Sequence, residues 1–230
     1  MHTTKLNTVT CHPLAICCLL ALLTVSAGCS SHHCITCAAR AGSIKDVKYL
    51  LARGADVNTT KCNDVTPFYA AVEGNASIDM LQMLVNNGAE VNVKDSIDWT
   101  PLHSAACRSN IEVIQFLIEK GADVNARNTV GRTPLHEAVS AQPSVDALKL
   151  LIENGAEVNT KDIDGFTPLH DAARFCLPNH PEVVKFLIAQ GADINAENDD
   201  GRTPASVANI FPEGWKNLIE QSAVVDTETE

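Results

Sequence analysis

The chain has 230 residues, 45% of them apolar and 20% charged, which is typical of a folded protein and not of a disordered one. Its formal net charge is −11 and its lysines and arginines are scattered, which argues against nucleic-acid binding, because phosphate recognition needs a basic face. Aromatic residues make up only 4%, so the core must consist mainly of Ala, Val, Leu and Ile, and this favours closely packed helices.

The first residues have the order of features of an export signal. Lys5 stands in a start without acidic residues, and the apolar run 14–25 has the length of a signal-peptide core but is too short to span a bilayer. Small residues then lead to Cys29. A general signal peptidase would cut after Ala27, which would release the protein as a secreted chain.

The segment Ser-Ala-Gly-Cys that ends at Cys29 resembles the lipobox of bacterial lipoproteins, although Ser26 stands where that family usually has Leu. The resemblance implies a signal peptide over 1–28, a lipid on Cys29, a tether over 29–32, and a location in the bacterial cell envelope, anchored to a membrane. Several acyl chains hold a protein on a membrane, where one chain is marginal. Secretion without lipid is the alternative.

The next segment, HHCITC, has a spacing that is used in redox and metal sites. Cys34 and Cys37 form a C-x-x-C pair, with His32 and His33 beside it. Four ligands within six residues cannot easily surround one zinc ion, however, and no distant second pair of ligands exists. The prediction is therefore no metal and no cofactor, with a periplasmic redox or metal-binding protein as the alternative.

Two motifs recur through the rest of the chain in steps of 34, 33, 34 and 36 residues. The first begins with Thr-Pro, and the second reads Gly-Ala-Asp/Glu-Val/Ile-Asn. Counting back 33 residues from the first Thr-Pro leads to HCITCAA, a degenerate first copy. The Thr-Pro pairs begin at Thr66, Thr100, Thr133, Thr167 and Thr203, and the glycine motifs at Gly54, Gly88, Gly121, Gly155 and Gly191.

The residue types give each repeat a predicted shape. A threonine can cap a helix and proline suits its first position, so each Thr-Pro predicts a helix start. A second helix from Ile111 has an apolar stripe and ends before Gly121, a residue suited to the left-handed conformation that closes helices. The following segment, rich in Asn, Asp and Gly, predicts an extended turn or hairpin. The apolar stripe consists of Val113, Ile114, Leu117 and Ile118.

The motif T-P-L-H-x-A in a helical unit of about 33 residues resembles the ankyrin repeat. The resemblance implies an all-α repeat solenoid, an ankyrin-repeat array with a helix-turn-helix and a hairpin or loop in each unit. The array covers 33–222, with copies at about 33–62, 63–96, 97–129, 130–163 and 164–199, a C-terminal cap at 200–222 and an acidic tail at 223–230. It also implies that His103, His136 and His170 make hydrogen bonds that tie adjacent units together, and we expect a monomer.

No nucleophile elbow, P-loop or dinucleotide fingerprint appears, so an enzyme is not expected. The resemblance implies a scaffold that binds an unidentified protein partner through the hairpin tips and the inner helices. The residues predicted to contact it are Val65, Trp99, Arg132, Phe166 and Arg202 before each Thr-Pro, Ile97, Val130 and Ile163 at the tips, and Arg108, Arg174 and Phe175 on the first helices.

Trp, Phe and Arg are the residue types that dominate interface energies, and we expect Trp99, Arg132 and Phe166 to form an exposed row. In the alternative interpretation these side chains cover neighbouring hairpins. A secreted effector that acts on host proteins is the other binding function that the sequence leaves open.

Overall fold

The computed structural model describes residues 34–60, 65–174 and 180–208, which form eleven short helices and no β-strand. We call the odd-numbered helices inner and the even-numbered ones outer. Repeats 1 to 5 each contain one inner and one outer helix, and α11 opens a sixth unit. The helices are α1 (Ile35–Arg40), α2 (Ile44–Ala52), α3 (Pro67–Glu73), α4 (Ile78–Asn86), α5 (Pro101–Cys107), α6 (Ile111–Glu119), α7 (Pro134–Ser140), α8 (Val145–Glu153), α9 (Pro168–Arg174), α10 (His180–Ala189) and α11 (Pro204–Val207).

The Thr-Pro pairs start the inner helices as the sequence predicts. Thr66 has an extended backbone, and its hydroxyl oxygen accepts a hydrogen bond from the Tyr69 amide at 3.2 Å. Thr100 receives the corresponding bond from the His103 amide at 3.4 Å. The proline after each threonine occupies the first helical position, where the missing N–H costs nothing. The sequence thus defines the start of each repeat.

The outer helices bury one apolar face each and close on a glycine. In α6, Val113, Ile114 and Leu117 are buried and Ile118 is partly buried against the same core. The chain then reaches Gly121 with φ at +84°, a conformation that side chains with a Cβ rarely adopt. The predicted apolar stripe and the predicted helix end are both confirmed.

The repeats stack by inner helix on inner helix and outer helix on outer helix, which confirms the all-α solenoid. The leucine of each T-P-L motif has almost no exposure, as shown by Leu102, Leu135 and Leu169. Small residues permit the close approach, and Gly74 is the tightest case: a Cβ atom there would overlap the carbonyl oxygen of Arg40 in the preceding repeat.

A ladder of asparagines, which the sequence analysis did not assign, joins the ends of consecutive outer helices. The Asn92 side-chain amide donates to the Gly121 carbonyl oxygen at 2.9 Å, and its oxygen accepts from the Asp123 amide at 2.9 Å. Because each rung spans two repeats, it fixes the spacing between neighbouring glycine motifs. Asn58, Asn125 and Asn159 make the same pair of bonds to the repeats that follow them.

Three predictions concern residues outside the described ranges. Cys29 with the signal peptide and tether, Phe175, and the C-terminal cap and tail beyond residue 208 all lie there. Within the part of the chain that the structure describes, no helix has the length and apolar character needed to cross a membrane.

Candidate protein-binding surface

The loops that precede the Thr-Pro pairs lie side by side and are joined through their backbones. The Thr129 amide donates to the Ile97 carbonyl oxygen at 3.0 Å, and the Ile163 amide donates to the Val130 carbonyl oxygen at 3.1 Å. Within one loop, the Asp95 amide donates to the Trp99 carbonyl oxygen at 3.0 Å. In repeats 3 to 5 the predicted hairpins are therefore tight turns without strands, and their tips form one continuous row.

This row presents aliphatic side chains to solvent. Ile97 is 41% exposed and Ile163 is 60% exposed, while Val130 between them is half-buried. Large aliphatic residues at turn tips contribute nothing to the core of their own repeat. We define Ile97, Val130 and Ile163 as the tip row.

The two aromatic residues beside the tip row are only half-exposed. The Trp99 ring lies 5.6 Å from the ring of His103, and the Phe166 ring lies 5.4 Å from that of His170. The Arg174 guanidinium lies 5.0 Å over the Phe166 ring. Each aromatic ring thus packs on its own repeat and still shows part of its surface to solvent.

The expectation that Arg132 is exposed is wrong, because its side chain is buried in an ion-pair network. Its Nε donates to Glu137 at 2.7 Å, and its Nη1 donates to Asp171 of the next repeat at 2.8 Å. Its Nη2 donates to the Ser140 hydroxyl at 2.6 Å. Arg132 has a relative exposure of 6%, so it holds repeats 4 and 5 together and is unsuited to contact a partner.

The network is stabilised by opposite charges in a site with little water. Burial alone would lower the pKa of Arg132, but the carboxylates of Asp171 and Glu137 outweigh that effect and raise it, so the guanidinium stays charged. Burial raises the pKa of the Glu137 carboxyl, and the guanidinium at 2.7 Å opposes that rise. The network therefore depends on Arg132, which is the only cation bonded to both of these carboxylates in the described residues.

The other predicted arginines differ in what their side chains do. Arg108 is half-buried, and its Nη1 donates to the Val72 and Glu73 carbonyl oxygens at 3.2 and 2.7 Å, which caps the end of α3. Arg202 is exposed, and Val65 is half-buried. Their contact with a partner stays a prediction, as it does for Arg174.

The three repeat histidines tie adjacent units together, as the resemblance implied. The Thr100 amide donates to Nδ1 of His103 at 3.1 Å, so the ring proton lies on Nε2, which donates to the Arg132 carbonyl oxygen of the next repeat at 3.1 Å. His136 and His170 make the same bridge, to the carbonyl oxygens of Phe166 and Arg202 at 3.2 and 3.0 Å.

These histidines are held in the neutral form. Burial lowers the pKa of His103 to about 4 and that of His136 to about 3, and it lowers the pKa of His170 as well. A protonated ring could not accept the threonine N–H at Nδ1, so the neutral form is the one that joins the repeats. The three histidines therefore serve to hold adjacent repeats together.

Tyr69 occupies the histidine position of repeat 2, and its bridging role is a feature that the sequence analysis did not identify. Its hydroxyl donates to the Asp95 carboxylate in the loop of repeat 3 at 3.1 Å, and burial raises its pKa. The signal was present in the sequence, since TPFYAAV aligns tyrosine with the histidine of TPLHSAA.

The cysteine pair of the HHCITC segment lies at the start of α1. The Cys34 sulfur accepts a hydrogen bond from the Cys37 amide at 3.2 Å. Cys34 therefore acts as a helix cap. In the ranges that the structure describes, no three His, Cys, Asp or Glu side chains are grouped so that they would hold a metal ion, and His32 and His33 lie outside those ranges.

The repeated helix pairs, the bridging histidines and the row of turns together define an ankyrin-repeat protein. A family model for ankyrin repeats, with three copies, matches residues 35–128 and 127–198. The chain belongs to this family. A search of curated proteins finds no match to the chain.

Proposed function

We propose that this ankyrin-repeat chain is a non-catalytic scaffold that binds a protein partner and is held on a bacterial membrane through lipid on Cys29. The observation that carries the binding part is the tip row, where Ile97 and Ile163 expose aliphatic surface on turns joined by hydrogen bonds. Ankyrin repeats generally mediate protein binding, which supports the same assignment.

The surface that we assign to the partner differs from the row expected from the sequence. Arg132 is left out, because its guanidinium is committed to Glu137 and Asp171. Trp99 and Phe166 stay as partly exposed neighbours of the tip row. Aromatic and aliphatic side chains on a rigid support suit an interface, since little conformational entropy is lost when they are covered.

Site-directed photo-crosslinking tests the binding surface in living cells. A crosslinking residue at position 97 or 163 should trap the same single partner, while one at Ile111 should trap none. Ile111 is the matched control, because it is 40% exposed but lies on an outer helix. Equal crosslinking at all three positions would contradict the tip row as the binding site.

A second test separates recognition from folding. Replacing both Ile97 and Ile163 by Ser should leave the thermal unfolding midpoint within about 2 °C, because neither side chain lies in the core, and should abolish the crosslink made from Val130. An Ile111→Ser variant should keep it. Retention of the crosslink in the double variant would overturn the proposal.

The lipid anchor has its own test, the intact mass of the mature N-terminus. A chain that begins at Cys29 with added acyl mass, absent from a Cys29→Ala variant, supports display from the cell envelope. A chain cut after Ala27 without lipid supports the alternative, a secreted effector that acts on host proteins. Stoichiometric metal or a reversible Cys34–Cys37 disulfide would support the periplasmic redox or metal-binding alternative.

A further inference from the structure

The outer helix of repeat 1 carries a group of exposed cationic side chains around an exposed aromatic ring. Lys45 and Lys48 lie on the solvent side of α2, and Arg53 follows directly after its end. Tyr49 is 61% exposed. We define Lys45, Lys48, Tyr49 and Arg53 as the basic face.

The basic face departs from the other four repeats at Lys45, whereas the position of Lys48 is also lysine in repeats 4 and 5. Counted back nine residues from the glycine that follows each outer helix, repeat 1 has Lys45, whereas repeats 2 to 5 all have an acid. A general requirement of the fold would give the same charge in each copy. The acids at this position are Asp79, Glu112, Asp146 and Glu182.

The aromatic residue of the basic face is also exceptional in its exposure. Phe116 occupies the same place in repeat 3 and is 6% exposed, against 61% for Tyr49. The Tyr49 hydroxyl accepts a hydrogen bond from Arg53 Nη1 at 3.4 Å, and the guanidinium lies 5.6 Å from the ring centroid. An apolar ring with a polar tip, flanked by cations, has the composition of side chains that lie at a membrane surface.

The position of the basic face in the chain brings it close to the predicted anchor. Cys29 precedes Cys34, the cap of α1, by five residues. Five residues span at most about 18 Å when fully extended, which is less than two helix diameters. An anchor at Cys29 therefore holds repeat 1 within reach of the lipid headgroups. Repeats 2 to 5, whose outer helices carry an acid in place of Lys45, follow further along the chain.

We propose that the basic face docks on the anionic lipid headgroups of the membrane to which the chain is anchored. This inference rests on the proposed lipid anchor for its geometry. The helix α2 carries Lys45 and Lys48 against one acid, Asp46, in a chain with a net charge of −11, and a surface of opposite charge is the partner that this local excess of cations favours. Docking would fix one end of the array on the membrane. The tip row could then no longer rotate freely about the tether.

The test uses the mature protein and reads lysine reactivity by mass spectrometry. Lipidated protein is placed on vesicles of phosphatidylcholine alone or with 30 mol% phosphatidylglycerol and treated with a water-soluble acylating reagent. Lys45 and Lys48 should react about tenfold more slowly on the anionic vesicles at low salt, since each cation near the surface contributes about fivefold to binding. Lys149 and Lys185, exposed or half-exposed on outer helices α8 and α10, are the internal controls and should react equally on both.

The outcomes distinguish the docking proposal from the anchor proposal. Slow reaction of Lys45 and Lys48 on both vesicle types would mean that protein covers the face, either a second copy or another segment, and would overturn lipid docking.

If the mature mass shows no lipid, the secreted chain is sedimented with the same vesicles instead. Salt-sensitive sedimentation on anionic vesicles, reduced at least tenfold by Lys45→Glu with Lys48→Glu but not by Lys149→Glu with Lys185→Glu, would then support docking. No sedimentation would overturn it.

Discussion

At the scale of single residues, Arg132 shows how one repeat position can serve two different purposes. Arg132 and Arg202 both directly precede a Thr-Pro pair, yet the first is 6% exposed and the second is exposed. The difference comes from Glu137 and Asp171, which surround only the first guanidinium. Buried charges persist only when they are paired and hydrogen-bonded, and this pairing spans two repeats.

Removal of the Arg132 side chain should destabilise the array strongly. In Arg132→Ala, the carboxylates of Glu137 and Asp171 lose their cation, and we expect a loss of about 3–5 kcal/mol in the free energy of unfolding. Arg202→Ala is the matched control and should change it by less than about 0.5 kcal/mol. Urea unfolding followed by circular dichroism measures both, and equal effects would contradict the structural role of Arg132.

The neutral histidines predict a loss of stability in weak acid. An unfolded histidine has a pKa of about 6.5, whereas folded His103 has a pKa of about 4 and folded His136 of about 3. Below pH 6.5 the unfolded chain therefore binds more protons, so the stabilisation is present above pH 6.5 and is lost as the pH falls towards 4. Each of the two contributes up to about 1.4 kcal/mol per pH unit in this window, while Glu137, with its raised pKa, acts in the opposite sense.

Urea titrations at pH 7 and pH 5 would measure this dependence. A His103→Asn variant is expected to be less stable at pH 7, because it loses the bond to the Arg132 carbonyl oxygen, but to show a shallower decline between the two pH values. A decline as steep as in the wild type would show that His103 does not titrate in this window.

At the scale of the helices, the sequence predicted the start and end of the repeats because short-range chemistry decides them. Thr-Pro and the closing glycine act within one turn, so Thr100 and Gly121 could be assigned without knowledge of the neighbouring repeat. The burial of Arg132 could not be predicted in the same way, because Asp171 lies 39 residues away. The half-burial of Trp99 and Phe166 likewise depends on contacts within the folded repeat. These contacts are made by the rings of His103 and His170 and by the Arg174 guanidinium.

The packing of α3 on α1 gives a prediction about Gly74. Its φ of −73° suits any residue, so alanine would by itself be favoured there by the lower entropy of the unfolded chain. The added Cβ atom would overlap the Arg40 carbonyl oxygen, however, and we expect Gly74→Ala to cost about 1–3 kcal/mol. Thermal unfolding tests this, and a raised midpoint would show that the two helices separate at little cost.

At the scale of the whole molecule, the extensive helix contacts of the described residues join neighbouring repeats, so stability should be greatest in the middle of the array. Histidine bridges join repeats 3, 4 and 5, and the Arg132 network adds to the junction of repeats 4 and 5. Repeat 1 is joined to repeat 2 by helix packing, by the Asn58 rung and by the ion pair of Arg40 with Glu73, and this ion pair contributes little because Arg40 is partly exposed.

Hydrogen exchange followed by mass spectrometry should resolve this order. We expect the amides of α5, α7 and α9 to exchange most slowly and those of α1, α2 and α11 most rapidly, because among the described residues a repeat packs against these end helices on one side only. Uniform exchange along the array would mean that it unfolds as one unit, without fraying from its ends.

The histidine bridges also give the array a direction, and this bears on how such a chain can lengthen during evolution. His103, His136 and His170 each donate to the following repeat, and the loop of that repeat supplies the acceptor. A duplicated unit would therefore bring its own donor and acceptor and fit between most neighbours without other substitutions. The series ends at Ser206, which occupies the histidine position of the last described unit and donates to Thr203 within its own turn. The junction spanned by Arg132 and Asp171 is the exception, since an inserted copy there would separate the two charges and would have to evolve a replacement for them.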